Sequence, residues 1–329
     1  MKRHFAQHAG QLKADLKAAL SVERLRELHE CSAWRHFLVV AWQLALIAGA
    51  TTVLVSERWP WAWPLAMVVQ GFCVFNFTVL LHDNLHRAVF AKPRPKLERL
   101  LALAYSLPSG ISASQFTRWH LDHHAELGSS TGDPKRHHLS PKRNSRWLKL
   151  AYLTPLLFPI YFRAAARETA TYEPELRARI KKERLASIGF HLSLLIGLAV
   201  LVSPMVALRV HAIPVFLVFP VAFTLNRMGQ HYWIDPKDPA AWGTLVRRNW
   251  FWNVAFLCSN MHLEHHYYPG VPLYRLPALQ RELEGFYKER GMVAHGYGEL
   301  VWNWLVRNKP PHANWSSDEV EAVGRTATA

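Results

Sequence analysis

Two long blocks, at about 37–81 and 186–226, are almost free of charge, while the segments around them carry most of the Lys, Arg, Asp and Glu. A water-soluble core is built from segments whose polar faces interrupt each apolar run, so separation on this scale fits a bilayer. Each block is long enough for two crossings of about 20 residues. The expected spans are 36–55, 61–81, 186–206 and 210–226, paired into two hairpins by short turns at Ser56–Pro60 and at 207–209. Trp61 and Trp63 stand where an aromatic belt belongs.

This topology explains the charge. The chain has a formal charge of +15, which invites a nucleic-acid reading. With four crossings, however, Arg58 and Arg209 are the only two of the 39 Lys and Arg on the outer face. Such asymmetry follows the positive-inside rule and contact with anionic phospholipid, and nucleic-acid binding is set aside. Cys31, Cys73 and Cys258 lie far apart, and none is expected to face an oxidising compartment, so neither disulfides nor a cysteine metal site are indicated. The first 35 residues lack an apolar run followed by a small-residue cleavage site, so the first span is expected to direct insertion itself.

Between 87 and 185 the chain is mostly polar, with apolar pieces at Leu97–Leu107 and Trp147–Phe162. The first is too short to cross, and Pro155 and Pro159 interrupt the second, so both are expected as surface helices. Parity agrees, because an extra crossing would put the histidine clusters described below on opposite faces. Leu276, Leu279, Leu283 and Phe286 predict another surface helix, and the tail 310–329 is expected to be disordered. The chain thus divides into a cytosolic amphipathic segment over 1–35, a membrane domain over 36–290 and a cytosolic C-terminal segment over 291–329. The fold expected is all-α: four membrane helices under a cytosolic helical cap.

The cap holds the chemistry. His82 and His86 are four residues apart; His120, His123 and His124 form one His-x-x-His-His group, and His262, His265 and His266 form another. His231 stands alone just past the fourth span. Positions i, i+3 and i+4 share a helix face, so each cluster is expected to aim at one point. With 19 His in 329 residues, one His-x-x-His-His pattern arises by chance about 0.06 times per chain, and two copies far less often. Imidazole suits Fe, Zn, Cu and Ni alike, but nine histidines exceed what one tetrahedral zinc can use and match two metals. Asp83, Asp122 and Glu264 lie between the ligands and are expected to accept the second imidazole N–H. His137, His138 and His191 are assigned no metal.

The three boxes, their order, the pairing of spans and the run His262-Leu263-Glu264-His265-His266-Tyr267-Tyr268-Pro269-Gly270 resemble the membrane-bound fatty acid desaturases. The resemblance covers about 36–290 and is nearest to bacterial acyl-lipid desaturases and their hydroxylase relatives. It implies two iron ions on the eight box histidines and on His231, with O₂ as co-substrate and a lipid acyl chain as substrate. It also implies an integral protein of a bacterial inner membrane with its active site on the cytosolic side. Front-end desaturases have Gln where His262 stands, so that subclass is not expected. No His-Pro-Gly-Gly haem signature is present, so electrons are expected from a separate ferredoxin and its reductase.

Desaturation of an acyl chain is the leading expectation. A hydroxylase or ketolase acting on a carotenoid, sterol or alkane is the alternative enzyme. A zinc-binding membrane receptor or transporter is the non-enzymatic alternative, although a transporter would place its ionisable groups near the bilayer midplane rather than at span ends.

Overall fold

The computed structural model describes residues 3–129, 132–134 and 144–311. His137, His138 and most of the polar tail lie outside the described residues. Among those described, the fold is all-α, with no strand beyond an isolated bridge between Val246 and His295.

Three short helices, α1 (His4–His8), α2 (Gly10–Ala19) and α3 (Val22–Leu28), precede the first span, α4 (Ala33–Val55). The second, α5 (Trp63–Leu85), follows a tight turn. Then come α6 (Pro95–Ser106), α7 (Ala113–Glu126), α8 (Arg146–Tyr152) and α9 (Leu157–Ala170). The second hairpin is α10 (Pro174–Leu201) and α11 (Pro204–His231). Pro214 sits within α11 between π-type turns at Leu208–Ala212 and Pro214–Val218. The cap continues with α12 (Trp250–Ala255), α13 (His262–Tyr267), α14 (Leu276–Glu282), α15 (Glu284–Glu289) and α16 (Tyr297–Val301).

All four expected spans are helices long and apolar enough to cross a membrane. Their apolar windows divide into two kinds: 17% of that of α4 and 6% of that of α10 is buried, against 67% for α5 and 56% for α11. The outer pair therefore presents Leu38, Trp42, Leu192 and Ile196 outward, where only lipid makes such exposure favourable. The inner pair approach closely because Gly71 has no side chain: a Cβ there would overlap Val218. The second hairpin turns at 202–203 rather than at the expected 207–209, because the helix that carries Arg209 starts at Pro204. Arg209, near the start of α11, is buried against the Trp63 ring (3.7 Å to its centroid) and donates to Glu57 Oε1 at 2.7 Å, which ties α11 to the first turn at the end away from the histidines.

The helices run further than hydropathy implied. α10 begins at Pro174, about three turns before the apolar block, because charges do not end a helix once it has nucleated. α5 and α11 likewise extend beyond their apolar portions. Leu12, Leu16, Leu20 and Leu28 share one core with Leu276, Leu279 and Leu283, and Leu300 and Trp304 pack with Tyr152, Met228 and Tyr232. Residues 3–35 and 291–311 thus pack into the cap.

Candidate metal centre

Each histidine is delivered by a helix end. α5 carries His82 in its last turn, and His86 caps it before Arg87 turns the chain at φ 58°. α11 ends on His231. On α7, the N-cap Ser112 accepts from the Gln115 N–H at 3.1 Å. Glu183 of α10 accepts from Ser112 Oγ (2.6 Å), the Ser114 N–H (2.9 Å) and Ser114 Oγ (2.7 Å). A carboxylate so placed satisfies orphan donors at the helix start, and it fixes the helix that carries His120, His123 and His124. The short α13 carries the last three histidines, fully inside the cap.

The nine imidazoles form two groups, of His82, His86, His120, His124 and His265 and of His123, His231, His262 and His266, with ligand atoms within 4.8 Å of one another in each. The expectation that each cluster aims at one point holds only for His82 and His86. In both His-x-x-His-His runs the i and i+4 residues serve one group and the i+3 residue the other. His120 and His124 join the first group and His123 the second, while His262 and His266 join the second and His265 the first. The two groups adjoin, with the rings of His124 and His266 4.4 Å apart.

The spacing within the groups has the scale of a coordination shell. Nε2–Nε2 separations are 2.8 Å for His86–His120 and His120–His124, 3.0 Å for His124–His265 and His231–His262, and 3.1 Å for His123–His231. At a metal–nitrogen bond of about 2.0–2.1 Å, the edge of an octahedron is about 2.9 Å and that of a tetrahedron about 3.4 Å. Lone pairs converging at this distance repel unless a cation lies among them. Burial, then the neighbouring His124, His262, His123 and His231, holds His266 well below the usual imidazole value, which keeps it in the neutral form that binds metal. The residues therefore fit a pair of metal ions.

The outer contacts differ from expectation. His123 Nδ1 donates to Asp133 Oδ1 at 2.7 Å, and His231 Nδ1 donates to the Trp242 carbonyl at 3.0 Å, leaving each Nε2 to face its group. The three interleaved acids are bonded elsewhere. Asp83 accepts from His36 Nδ1 (3.1 Å) and the Leu273 N–H (3.2 Å), and Asp122 from Arg118 (2.6 Å) and Arg3 (3.2 Å). Glu264 accepts from Gln280 (2.8 Å) and Tyr287 (2.9 Å), while burial pushes its carboxyl up. The reason is angular: an acid one or two residues from a ligand lies about 100° or 200° around the helix and faces away from the metals. Asp133 escaped sequence reading, since Gly132-Asp133-Pro134 gives only a turn signal, and a backbone carbonyl such as that of Trp242 gives none. Gly128, at φ 85°, lets this turn lie against the Trp242 indole, into which any Cβ would project. His191, left out of the site, bonds the Leu107 carbonyl (3.0 Å) and His211 (3.2 Å) instead.

A narrow apolar cavity runs from between the inner spans to both groups. Its walls are mainly Phe75, Val79, Tyr161, Phe219 and Phe223, and its inner end meets His82 of the first group and His262 of the second. Its apolar, aromatic lining suits an alkyl chain.

Two adjoining all-imidazole groups able to hold metal, beside an apolar cavity in a fold with four apolar helices, define a class of helical membrane protein. The chain matches the fatty acid desaturase family over residues 58–298, and it belongs to that family. It is similar to a sphingolipid delta(4)-desaturase/C4-monooxygenase of Homo sapiens, 26% identical over 76% of this chain and 74% of the relative. A dihydrorhizobitoxine desaturase of Bradyrhizobium elkanii is 24% identical over 81% and 78%. A chloroplastic omega-3 fatty acid desaturase of Glycine max is 25% identical over 80% and 62%. The chain is thus an integral membrane oxidoreductase acting on lipids, by desaturation or hydroxylation of an acyl chain.

Proposed function

We propose that the two groups each hold one iron ion and that the chain desaturates a lipid acyl chain. The observation that carries this reading is the division of the boxes into two adjoining imidazole groups at the inner end of an apolar cavity. Zinc fits imidazole but has no redox chemistry, whereas iron suits these ligands and reacts with O₂. The irons, when bound, supply the reduction of O₂ that takes a hydrogen from each of two adjacent carbons, giving a double bond and two waters for two electrons and two protons consumed. The chain's own residues do the rest. The aromatic walls hold a methylene run in place and exclude water, and Asp133 and the Trp242 carbonyl fix the rings and tautomers of His123 and His231.

Electrons come from a separate ferredoxin and its reductase, steered to a basic cytosolic face that also meets anionic phospholipid. The membrane is a bacterial inner membrane, and the site lies on its cytosolic side. Cysteines introduced at Ser56 and at the exposed Val202 then label from outside, and one at the exposed Lys92 does not. Hydroxylation is the second reading, favoured by the paired desaturase and monooxygenase activities in the name of the human relative. Metal analysis of protein purified without oxidative loss, with lipid profiling of cells with and without the chain, tests the proposal. Two irons and a product lighter by two hydrogens support it; a product gaining one oxygen selects hydroxylation. One zinc with no new lipid refutes both.

A further inference from the structure

A second apolar space lies across α5 from the cavity that meets the histidines. α5 gives Val79 and His82 to that cavity and Leu80 and Asp83 to a groove of about 670 Å³, whose other walls include α4 and α12. Neighbouring residues point about 100° apart on a helix, so the two spaces lie on different faces of α5. They share no lining residue. Leu38, Trp42 and Val254 line the groove and are exposed, on the span that is least covered by protein after α10.

The groove has a definite depth and a charged mouth. Along α4 its lining runs from His36 to Ala45, and the ten residues from Arg35 to Ala45 rise about 15 Å, half of a hydrocarbon core of about 30 Å. It therefore spans one leaflet, the one on the histidine side. Tyr274 lines the shallow end, its hydroxyl accepting from the Ser32 N–H at 2.9 Å. The Arg35 guanidinium lies over the Tyr274 ring (5.8 Å) and the Trp34 ring (5.7 Å). Arg275 is paired with Glu30 at 3.3 Å, but Arg35 is exposed and has no acidic or hydrogen-bonding partner among the described residues. Trp34 is exposed beside it, an amphipathic ring suited to headgroup level.

We propose that the groove holds one anionic phospholipid as a resident ligand, with a chain between α4 and α12 and its phosphate on Arg35. A purely apolar occupant leaves the cation at the mouth unanswered, whereas a phosphate pairs with it. This lipid is not the molecule oxidised: the groove lies on another face of α5 from the cavity at the histidines, and Asp83 at its floor accepts from His36 and the Leu273 N–H. The inference therefore stands apart from the choice of reaction and substrate.

The test exchanges full-length protein into micelles with defined amounts of dioleoyl phosphatidylglycerol or dioleoyl phosphatidylcholine and counts retained lipid by native mass spectrometry. Wild type is expected to retain one phosphatidylglycerol per chain in preference to phosphatidylcholine. Arg35→Gln should weaken phosphatidylglycerol about fivefold, the effect of one cation at a lipid surface, with little change for phosphatidylcholine, whose choline offsets its phosphate. Lys92→Gln and Arg58→Gln, which remove exposed cations at the histidine end and at the far end, should change neither. Ala41→Trp, which fills the groove, should lower retention of both lipids. A phosphatidylglycerol with a diazirine on its chain should label peptides of α4 and α12 in the wild type but not in Ala41→Trp. Circular dichroism confirms that the variants fold. Equal retention of the two lipids by wild type, or equal weakening by Arg35→Gln and Lys92→Gln, overturns the proposal in favour of diffuse charge. A dimer that Ala41→Trp splits, with no lipid retained, overturns it in favour of a second copy of the chain.

Discussion

Replacing Asp133 with Asn should loosen one metal and spare the other. Asp133 is buried, with 3% of its surface exposed, and its Oδ1 lies 2.7 Å from His123 Nδ1, the longer-range end of a carboxylate–histidine–metal arrangement. The carboxylate fixes the tautomer that turns the His123 Nε2 lone pair inward and makes the imidazole a stronger donor; an amide is neutral and can also present its NH₂ to Nδ1, favouring the wrong tautomer. Losses of such partners cost 10- to 100-fold in metal affinity, or about 1.4–2.7 kcal/mol. His123 belongs to the four-histidine group, while His120 and His124 of the same helix serve the five-histidine group. The loss should therefore be confined to one of the two ions. Competition with a chelator of known affinity, followed by metal analysis, should resolve two release steps in the wild type and shift only one of them in Asp133→Asn. Equal weakening of both steps would show that Asp133 supports the surrounding fold rather than one ligand, and two unchanged steps would remove it from the centre altogether.

His231→Ala should lower bound metal to about one ion per chain and abolish product, as should His124→Ala, but the two variants should lose different ions, distinguishable by Mössbauer spectra of enriched iron. Gly128→Ala forces a side chain toward the Trp242 indole in a left-handed conformation, and a loss of about 1–3 kcal/mol of stability should appear as a lower melting temperature. Adding Fe²⁺ to stripped protein should raise the melting temperature in proportion to the logarithm of free metal, whereas Mg²⁺, which prefers oxygen ligands, should not. Burial lowers Lys149 to about 8, although three oxygens, of Trp304, Asn308 and Lys309, accept from it at 2.7–3.0 Å. Between about pH 8 and 10.5 the unfolded chain then binds more protons than the folded one, so stability should rise with pH over that window. A Lys149→Met variant should lack this rise, and identical pH profiles of the two proteins would refute it.

The parts of this molecule that were legible in the sequence are those set by a single helix or by the bilayer. Four spans follow from apolar length, and His231 follows from a helix that does not stop where the membrane does. What sequence periodicity could not supply was the partition of the ligands. On one helix, i+3 and i+4 lie about 60° and 40° to either side of i, close enough to be read as one face. That difference of about 100° between neighbours decides which group each histidine joins once a second group stands beside the first. One group at a box needs only i and i+4, as His82 and His86 show; the added i+3 histidine is the mark of a helix lying between two groups. Both His-x-x-His-His runs carry it, in opposite senses, so that α7 gives two ligands to the first group and one to the second while α13 does the reverse. The tertiary fold alone brings these two helices face to face, and for that reason Asp133 and the Trp242 carbonyl, which bond ring nitrogens of that site, were silent in the sequence.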